Sequence, residues 1–481
     1  MSDFETVIGL EVHVELSTAT KAFCGCPTKF GSAPNTQVCP VCLGHPGVLP
    51  VLNRTALDYS IKLGLALGCQ IARRFKFDRK HYYYPDLPKN YQISQYDMPF
   101  ATGGLLTLPN GKTIRVHRAH LEEDAGKLIH EGADEKIGAG TAALVDYNRA
   151  GIPLLEIVSE PDLRDPADAV LYIRSIQSIV RYLGISDANM DEGRLRCDAN
   201  ISVRGKGEEK LGAKVEIKNM NSFRSIEKAL EFESRRQRES LARGDKPVQE
   251  TRLFDEETGE TRPMRGKEEA HDYRYFPEPD LLPFTVSDEM LSRLRREIPE
   301  LPAARLARYI SGHGLSPYDA QVLTGGKEIA DFFEAAIGAG APAKLSANWI
   351  TTELLGALNA AGKELRDSAV TPAALAELIG LIENGTISGK IAKTVFTEMF
   401  ETGRNAAGIV KEKGLVQISD TESIRKTVEQ VVAQNPASVA DFKSGKKQAI
   451  GHLVGGVMKA TGGKANPGIV NRLLKEILEK Q

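Results

Sequence analysis

Apolar residues occupy every second position of residues 8–16, IGLEVHVEL. Ile8, Leu10, Val12, Val14 and Leu16 share one side of an extended chain, and Gly9, Glu11, His13 and Glu15 share the other. The pattern predicts a strand with one face in a core and one face presenting two carboxylates around an imidazole. A solvated outer face would read the same way, and for this strand alone that plain interpretation is favoured. The alternation returns in PLLEIVSEPD, where Leu154, Glu156 and Val158 oppose Leu155 and Ile157, so Glu156 interrupts an apolar run. RCDANISVR sets Asp198, Asn200, Ser202 and Arg204 against Ala199, Ile201 and Val203, and KVEIKNMNSF sets Lys214, Glu216 and Lys218 against Val215 and Ile217. HLEEDAGK adds Glu122, Glu123, Asp124 and Lys127.

A helical period appears in DPADAVLYIRSIQSIVRYLG, with Asp165 as cap, Pro166 in the first turn, Gly184 as stop, and Val170, Ile173, Ile176, Val180 and Leu183 on one stripe. A second helix is expected in SFRSIEKALEFESRRQRESLARG, ending at Gly244. LPNGKT, between GLLTL and TIRV, reads as a hairpin turn at Asn110-Gly111. It is no phosphate loop, because six residues separate Gly104 from Gly111 where that motif requires four. From about residue 295 the strand pattern gives way to short amphipathic helices, LPAARLARYI, EIADFFEAAI and WITTELLGALNAA among them. A small polar stretch, residues 403–415, marks a plausible boundary, and the chain then runs to a last helix opened by Asn466 and Pro467. The expected architecture is α+β: an antiparallel sheet with flanking helices over residues 1–293, an all-α domain over 294–405 and an all-α tail over 406–481.

Composition narrows this picture. At 481 residues, 41% hydrophobic and 26% charged, the chain is globular and too long for one ordinary core. It has no apolar run of membrane-spanning length, and MSDFETV lacks the features of a secretion signal, so a cytoplasmic location with reduced thiols and no membrane partner is expected. The net charge of −2 does not advertise nucleic-acid binding, yet residues 443–481 carry eight Lys or Arg against two Glu. That tail could contact phosphates, or could simply be a solvated helix face.

If the polar strand faces line one concavity, their carboxylates repel, and a divalent cation would remove the conflict. Oxygen-rich ligation suits Mg²⁺ with substrate phosphates, and the intervening cations suit phosphate oxygens, which together describe a phosphoryl-transfer site. The cysteine pattern is sharper. Four of the six cysteines, Cys24, Cys26, Cys39 and Cys42, lie within CGCPTKFGSAPNTQVCPVC. The C-x-C and C-x₂-C pairs point to a closed, structural Zn²⁺ site ahead of a redox pair or four buried thiols. Cys69 and Cys197 read as isolated core thiols.

The segments VIGLEVHVEL, FDRKHYYYPDLPKNYQISQYDMP, HLEEDAGK, DYNRAGIPLLEIVSEPD, RCDANISVR and DYRYFPEPDLLP resemble the B subunits of the tRNA-dependent Asp/Glu amidotransferases, and the likeness spans essentially the whole chain. That resemblance implies a cradle-shaped catalytic domain, a helical domain and a YqeY-like tail carrying tRNA. It implies ATP-dependent amidation of Glu-tRNA(Gln) or Asp-tRNA(Asn), with ammonia from a glutaminase A subunit and a small C subunit joining the assembly. The family's Mg²⁺ ligands map to Glu11, His13, Glu123 and Glu156. Asp198 looks like a second metal or nucleotide contact, with Asn200 and Glu216 on the neighbouring polar positions as further nucleotide-site candidates. Lys80 and Tyr82 in RKHYYYP are candidates for phosphate or substrate contact, although residues 82–84 could equally be an aromatic packing cluster. Three rival readings are a metal-dependent RNA hydrolase using the same carboxylates, a non-catalytic tRNA-binding scaffold, and the archaeal-type subunit. The last carries an inserted domain that the spacing of motifs here leaves no room for.

Overall fold

The computed structural model describes residues 4–131, 142–264, 273–417, 420–444, 446 and 448–480. The chain divides into two compact units, Met1–Ala303 and Ala304–Gln481.

The first unit is built on a nine-stranded sheet. Its strands in chain order are β1 (Phe4–Glu15), β2 (Gln70–Ile71), β5 (Ala101–Thr107), β6 (Thr113–Glu123), β7 (Pro153–Ser159), β8 (Leu195–Gly205), β9 (Val215–Lys218), β10 (Glu250–Asp255) and β11 (Glu260–Pro263). Two further strands, β3 (Asp78–His81) and β4 (Tyr91–Ser94), form a separate small sheet with β12 (Phe276–Pro277) in the order β12-β3-β4. The large sheet runs β11-β10-β9-β8-β1-β7-β6-β5-β2. Its pairs are antiparallel except β9 with β10.

Strand alternation makes this sheet two-faced. Ile8, Leu10, Val12, Val14 and Leu16 are all at most 2% exposed and join one large core with Leu155, Ile157, Ala199 and Ile217. That core is closed by α1 (Arg54–Ala66), α2 (Pro166–Tyr182) and α3 (Phe223–Ala242). Each buried aliphatic side chain contributes roughly 1.5–3 kcal/mol, and this burial fixes which strand face turns away from the helices. The opposite face carries the polar set.

The local signals act as their chemistry suggests. The Asp165 side chain accepts from the Ala167 N–H at the start of α2, and Gly184 closes the helix with φ +66°. The buried stripe of α2 centres on Ala169, Tyr172, Ile173, Ile176 and Ile179, leaving Val170 and Leu183 at its half-buried edge. The expected stripe was therefore rotated by a fraction of a turn, because Tyr172 outweighs Val170 in burial. Residues 110–111 turn the β5–β6 hairpin, with Gly111 at φ +85° and the Leu108 N–H donating to the Lys112 carbonyl at 2.7 Å. Cys69 and Cys197 are buried thiols, as expected.

Among the described residues, the second unit's named elements are all helices. A last group of helices, Thr421–Gln434, Pro436–Lys443, Ala449–Ala460 and Pro467–Lys480, surrounds its own apolar core of Ile424, Val428, Leu453, Val457, Val470, Leu473, Leu474 and Leu478. Asn466 caps the final helix through the N–H groups of Gly468 and Ile469. The polar stretch 403–415 contains the short helix Ala406–Glu412. No helix among the described residues is long and apolar enough to cross a membrane.

Candidate active site

Register across three adjacent strands assembles the site. In β1, His13 lies opposite Glu156 of β7 on one side and Arg196 of β8 on the other, while Glu11 lies opposite Asp198. Glu156 in turn lies opposite His120 of β6. Their side chains share the face turned from the core, and residues two positions away join them: Glu15 on β1, Glu122 on β6, Asn200 on β8. The face continues onto β9 and β10, where Asn200 pairs with Glu216 and Glu216 with Thr251.

At the centre, the Glu156 carboxylate stands 3.3 Å from His13 Nε2 and 3.5 Å from His120 Nε2, and Glu122 is 3.6 Å from His120 Nε2. Potential ligand atoms of His13, Glu122 and Glu156 all fall within 4.8 Å of one another. Burial alone would raise the Glu156 carboxyl, but His120, His13 and the Lys80 ammonium outweigh it and hold it well below the usual range. Burial would likewise lower His13, and Glu156 reverses this and raises it. Glu11 accepts a 2.9 Å bond from Asn200 Nδ2, while burial and then the charge of Glu156 push its carboxyl upward. Lys80 reaches this cluster from β3: burial would lower its ammonium, yet Glu122 and Glu156 raise it. On the far flank Lys218 binds Asp198 at 2.8 Å and Glu216 at 2.9 Å, and Thr251 donates to Glu216 at 3.0 Å.

The face therefore collects Glu11, His13, Glu156, Asp198, Asn200 and Glu216, with Lys80 approaching from the small sheet. Tyr82 lies beside this group, its ring centre 5.9 Å from Lys80 Nζ and 6.1 Å from the ring of Tyr273. Tyr83 is 67% exposed, whereas Tyr82 packs edge to face against Tyr273.

Glu123 is placed elsewhere. One residue further along β6, it points to the other side of the sheet, where it pairs with Lys89 and accepts the Ile93 N–H at 2.9 Å. Glu122 is the residue of this pair that faces His13 and Glu156, held there by a 3.1 Å bond from the Ser94 hydroxyl. His120 is the other group that sequence reasoning passed over. The signal was present, since His120 and Glu122 occupy alternate positions in RAHLEED, but the phase of that strand is set by tertiary packing.

The donor set fits a divalent cation: two carboxylates and an imidazole bring potential ligand atoms together on one face. Asn200 Oδ1 and His120 Nδ1, both buried, have no hydrogen-bond partner among the described residues. The cysteine cluster fits one as well. The sulfurs of Cys24, Cys26, Cys39 and Cys42 lie within 4.8 Å of one another. The Cys39 N–H points at Cys42 Sγ at 3.2 Å, and Lys21, fully buried, donates to the same sulfur at 3.6 Å and to the Tyr147 carbonyl at 3.2 Å.

Residues 6–292 match the GatB/GatE catalytic domain, and residues 331–478 match a second family described as the GatB domain. A Carboxydothermus hydrogenoformans protein, named as the B subunit of an aspartyl/glutamyl-tRNA(Asn/Gln) amidotransferase, is 55% identical over 483 residues, covering 100% of both chains. A Brevibacillus brevis protein of the same name is 55% identical over 481 residues, 99% of each chain. One from Geobacter sulfurreducens is 54% identical over 480 residues, 99% of this chain and 100% of that one. Matched by these family models and by relatives of this identity over its full length, the chain belongs to the GatB family of amidotransferase B subunits.

Proposed function

We propose that this chain is the catalytic B subunit of a heterotrimer that converts Glu-tRNA(Gln), Asp-tRNA(Asn) or both to the amidated forms at the expense of ATP. A carboxylate is a poor electrophile because oxide cannot leave. Transfer of the ATP γ-phosphoryl group to a side-chain carboxylate oxygen of the aminoacyl-tRNA forms an acyl phosphate and releases ADP. Ammonia then attacks the acyl carbon, the new C–N bond forms, the C–O bond to phosphate breaks, and the nitrogen loses a proton. The observation that carries this reading is the meeting of His13, Glu122 and Glu156 on one buried polar face, with potential ligand atoms within 4.8 Å.

Each side chain then has a task. His13, Glu122 and Glu156, with Glu11 beside them, would hold Mg²⁺. When bound, that ion supplies charge neutralisation for the phosphate oxygens. Lys80 supplies a fixed positive charge against transferred phosphate, and its burial strengthens that attraction. Asp198, Asn200, Glu216 and Lys218 form the flank on which a nucleotide or a second cation would rest. Glu123 stays a structural partner of Lys89. Cys24, Cys26, Cys39 and Cys42 would hold Zn²⁺, which stiffens the loop after β1. Ammonia would come from an amidase A subunit, and a small C subunit would hold the pair together. The division of labour follows the expected boundaries, with catalysis in residues 1–293, a helical connector in 294–405 and tRNA binding by 406–481. The exposed Lys443, Lys446, Lys459, Arg472 and Lys475 favour that last assignment. Lys447 and Gln481 of the basic segment lie outside the described residues, as does Asp272 of DYRYFPEPD.

The test is assembly with candidate A and C subunits, then assay of each misacylated tRNA with ATP, Mg²⁺ and glutamine, and again with ammonium salt. ATP-dependent amidated product is expected with both nitrogen donors. Absence of product with either, from folded protein and intact tRNA, overturns the assignment. RNA cleavage without ATP would favour a hydrolase, and full activity of Glu156→Ala would favour a scaffold.

A further inference from the structure

Lys21 and the Lys89–Glu123 pair are buried charges that take no part in the reaction above. Lys21 is 0% exposed. Its Nζ donates to Cys42 Sγ at 3.6 Å and to the Tyr147 carbonyl at 3.2 Å, and its backbone N–H donates to the Cys26 carbonyl at 2.9 Å. A buried ammonium persists only opposite negative charge. Four thiolates around one divalent cation leave such charge on the sulfurs, so Lys21 belongs to the cysteine centre.

The same cysteine loop rests on the Lys89–Glu123 pair. Gly44, two residues past Cys42, has φ +69°, and a Cβ there would run into Lys89 Cγ. Gly151, at φ +88°, is the spacer on the Glu123 side. A Cβ there would lie 3.4 Å from Lys21 Cδ, 3.5 Å from Cys42 Cβ and 3.8 Å from Glu123 Oε2. The Gly151 N–H donates to the Asp124 carbonyl at 2.9 Å, and its carbonyl accepts from the Ala22 N–H at 2.8 Å. The space lined by Lys21, Cys42, Lys89, Ile93 and Glu123 is about 20 Å³, room for about one water. Groups packed this closely transmit a shift rather than absorb it.

From this pair the contacts run on to the small sheet. Glu123 accepts the Ile93 N–H at 2.9 Å, and its backbone carbonyl accepts from Gln92 Nε2 at 2.7 Å. Gln92 of β4 is the register partner of Lys80 of β3. The strand that seats Lys80 is thus fastened at Glu123, and the cysteine loop covers the other side of that fastening.

We propose that the cysteine centre is a remote brace for Lys80: with its four sulfurs on a metal ion, Lys21 and Gly44 keep the Lys89–Glu123 pair in place, and that pair fixes β4 beside Lys80. Lys21, Lys89 and Glu123 are then positioning residues. The proposal rests on the zinc and ATP-dependent readings above and adds the link between the two sites. Such a link is reciprocal. If metal loss loosens β4, breaking the Lys89–Glu123 pair must loosen the metal.

The test uses the assembled enzyme, zinc-loaded and after zinc removal, with the variants Lys89→Met and Glu123→Gln. Zinc release to a colorimetric chelator should be at least about tenfold faster in both variants. Hydrogen exchange at the amides of residues 91–94 should speed up when zinc is removed from the parent. Single-turnover amidation should slow by up to about 100-fold in the stripped enzyme, because Lys80 is displaced, and its Mg²⁺ dependence should stay where it was. Unchanged release and unchanged exchange, with amidation intact, overturn the brace and leave the reaction standing. A protein that binds no zinc overturns the brace as well. Linked release and exchange with full amidation after stripping overturn the role given to Lys80. The same linkage in an assembly that makes no amidated product sustains the brace and overturns the reaction. Release from the zinc-loaded variants decides the matter if the stripped parent unfolds, and exchange in the parent decides it if a variant fails to fold.

Discussion

Replacing Glu156 by Gln removes one negative charge from the centre of the acidic face and keeps the side-chain volume. The carboxylate sits 3.3 Å from His13 and 3.5 Å from His120, with Glu122 and Glu11 as its acidic neighbours. At an effective dielectric near 20, one such charged pair represents a gross attraction of about 5 kcal/mol. Desolvation takes back most of it, and a hydrogen bond to a charged group is worth about 1.5–3 kcal/mol net. Gln retains one acceptor and relieves repulsion from Glu122 and Glu11, so the stability loss should be about 1–3 kcal/mol, well short of unfolding. The chemical step should suffer more. Glu156 would act through the Mg²⁺ it helps to hold, and loss of one preorganised electrostatic contribution at a reacting centre typically lowers kcat by about 10²–10³. The assay is single-turnover formation of amidated tRNA by the assembled enzyme with saturating ATP, alongside thermal melting of the same preparation. A Glu156→Gln enzyme that stays folded and keeps kcat within about threefold of the parent, well short of that loss, would refute the catalytic placement of this face.

Glu122→Gln should weaken the Mg²⁺ dependence of amidation by at least about tenfold, whereas Glu123→Gln should leave it unmoved and lower the melting temperature by stranding Lys89, a loss of about 3–5 kcal/mol; Mg²⁺ titrations of both variants decide, and the reverse order would restore Glu123 as a ligand. Metal analysis should find one zinc per chain, and Cys39→Ser or strong chelation should lower the melting temperature. Lys21→Met should speed zinc loss to a colorimetric chelator and shift the charge-transfer bands of the cobalt-substituted protein, because it removes an ammonium that touches Cys42 Sγ; unchanged rates and spectra would reduce Lys21 to packing. In the helical unit, burial works against ionised Asp331, but Lys327 and Arg305 hold its carboxyl below the ordinary range. Its stabilising effect is therefore present above the unfolded pKa of about 3.9 and lost as pH falls through the lower folded value. Asp331→Asn should show a shallower fall in melting temperature between pH 5 and pH 3, and an identical fall would remove this pair from the account.

Much of this protein can be read along the chain, and the reasons are local. A period of two with Ile8, Leu10, Val12 and Val14 in phase leaves no choice about which side of β1 is buried, so Glu11 and His13 had to share the other side. Asp165 and Gly184 bound a helix because each satisfies or permits backbone geometry within a few residues of itself. The four cysteines needed only their spacing to be singled out. Residues 120–124 show where such reasoning stops. Leu121 and Glu123 fall in one phase, His120, Glu122 and Asp124 in the other, and both phases carry a carboxylate. Alternation alone cannot say which of Glu122 and Glu123 meets His13. That was decided when β6 aligned with β7 so that His120 stood opposite Glu156, and when Lys89 and the Ile93 N–H captured Glu123 on the other side. The chain by itself determined the strands, the helices and the chemistry available to them. Only the tertiary structure decided which acids become neighbours, because strand register depends on residues brought together from separate segments of the chain.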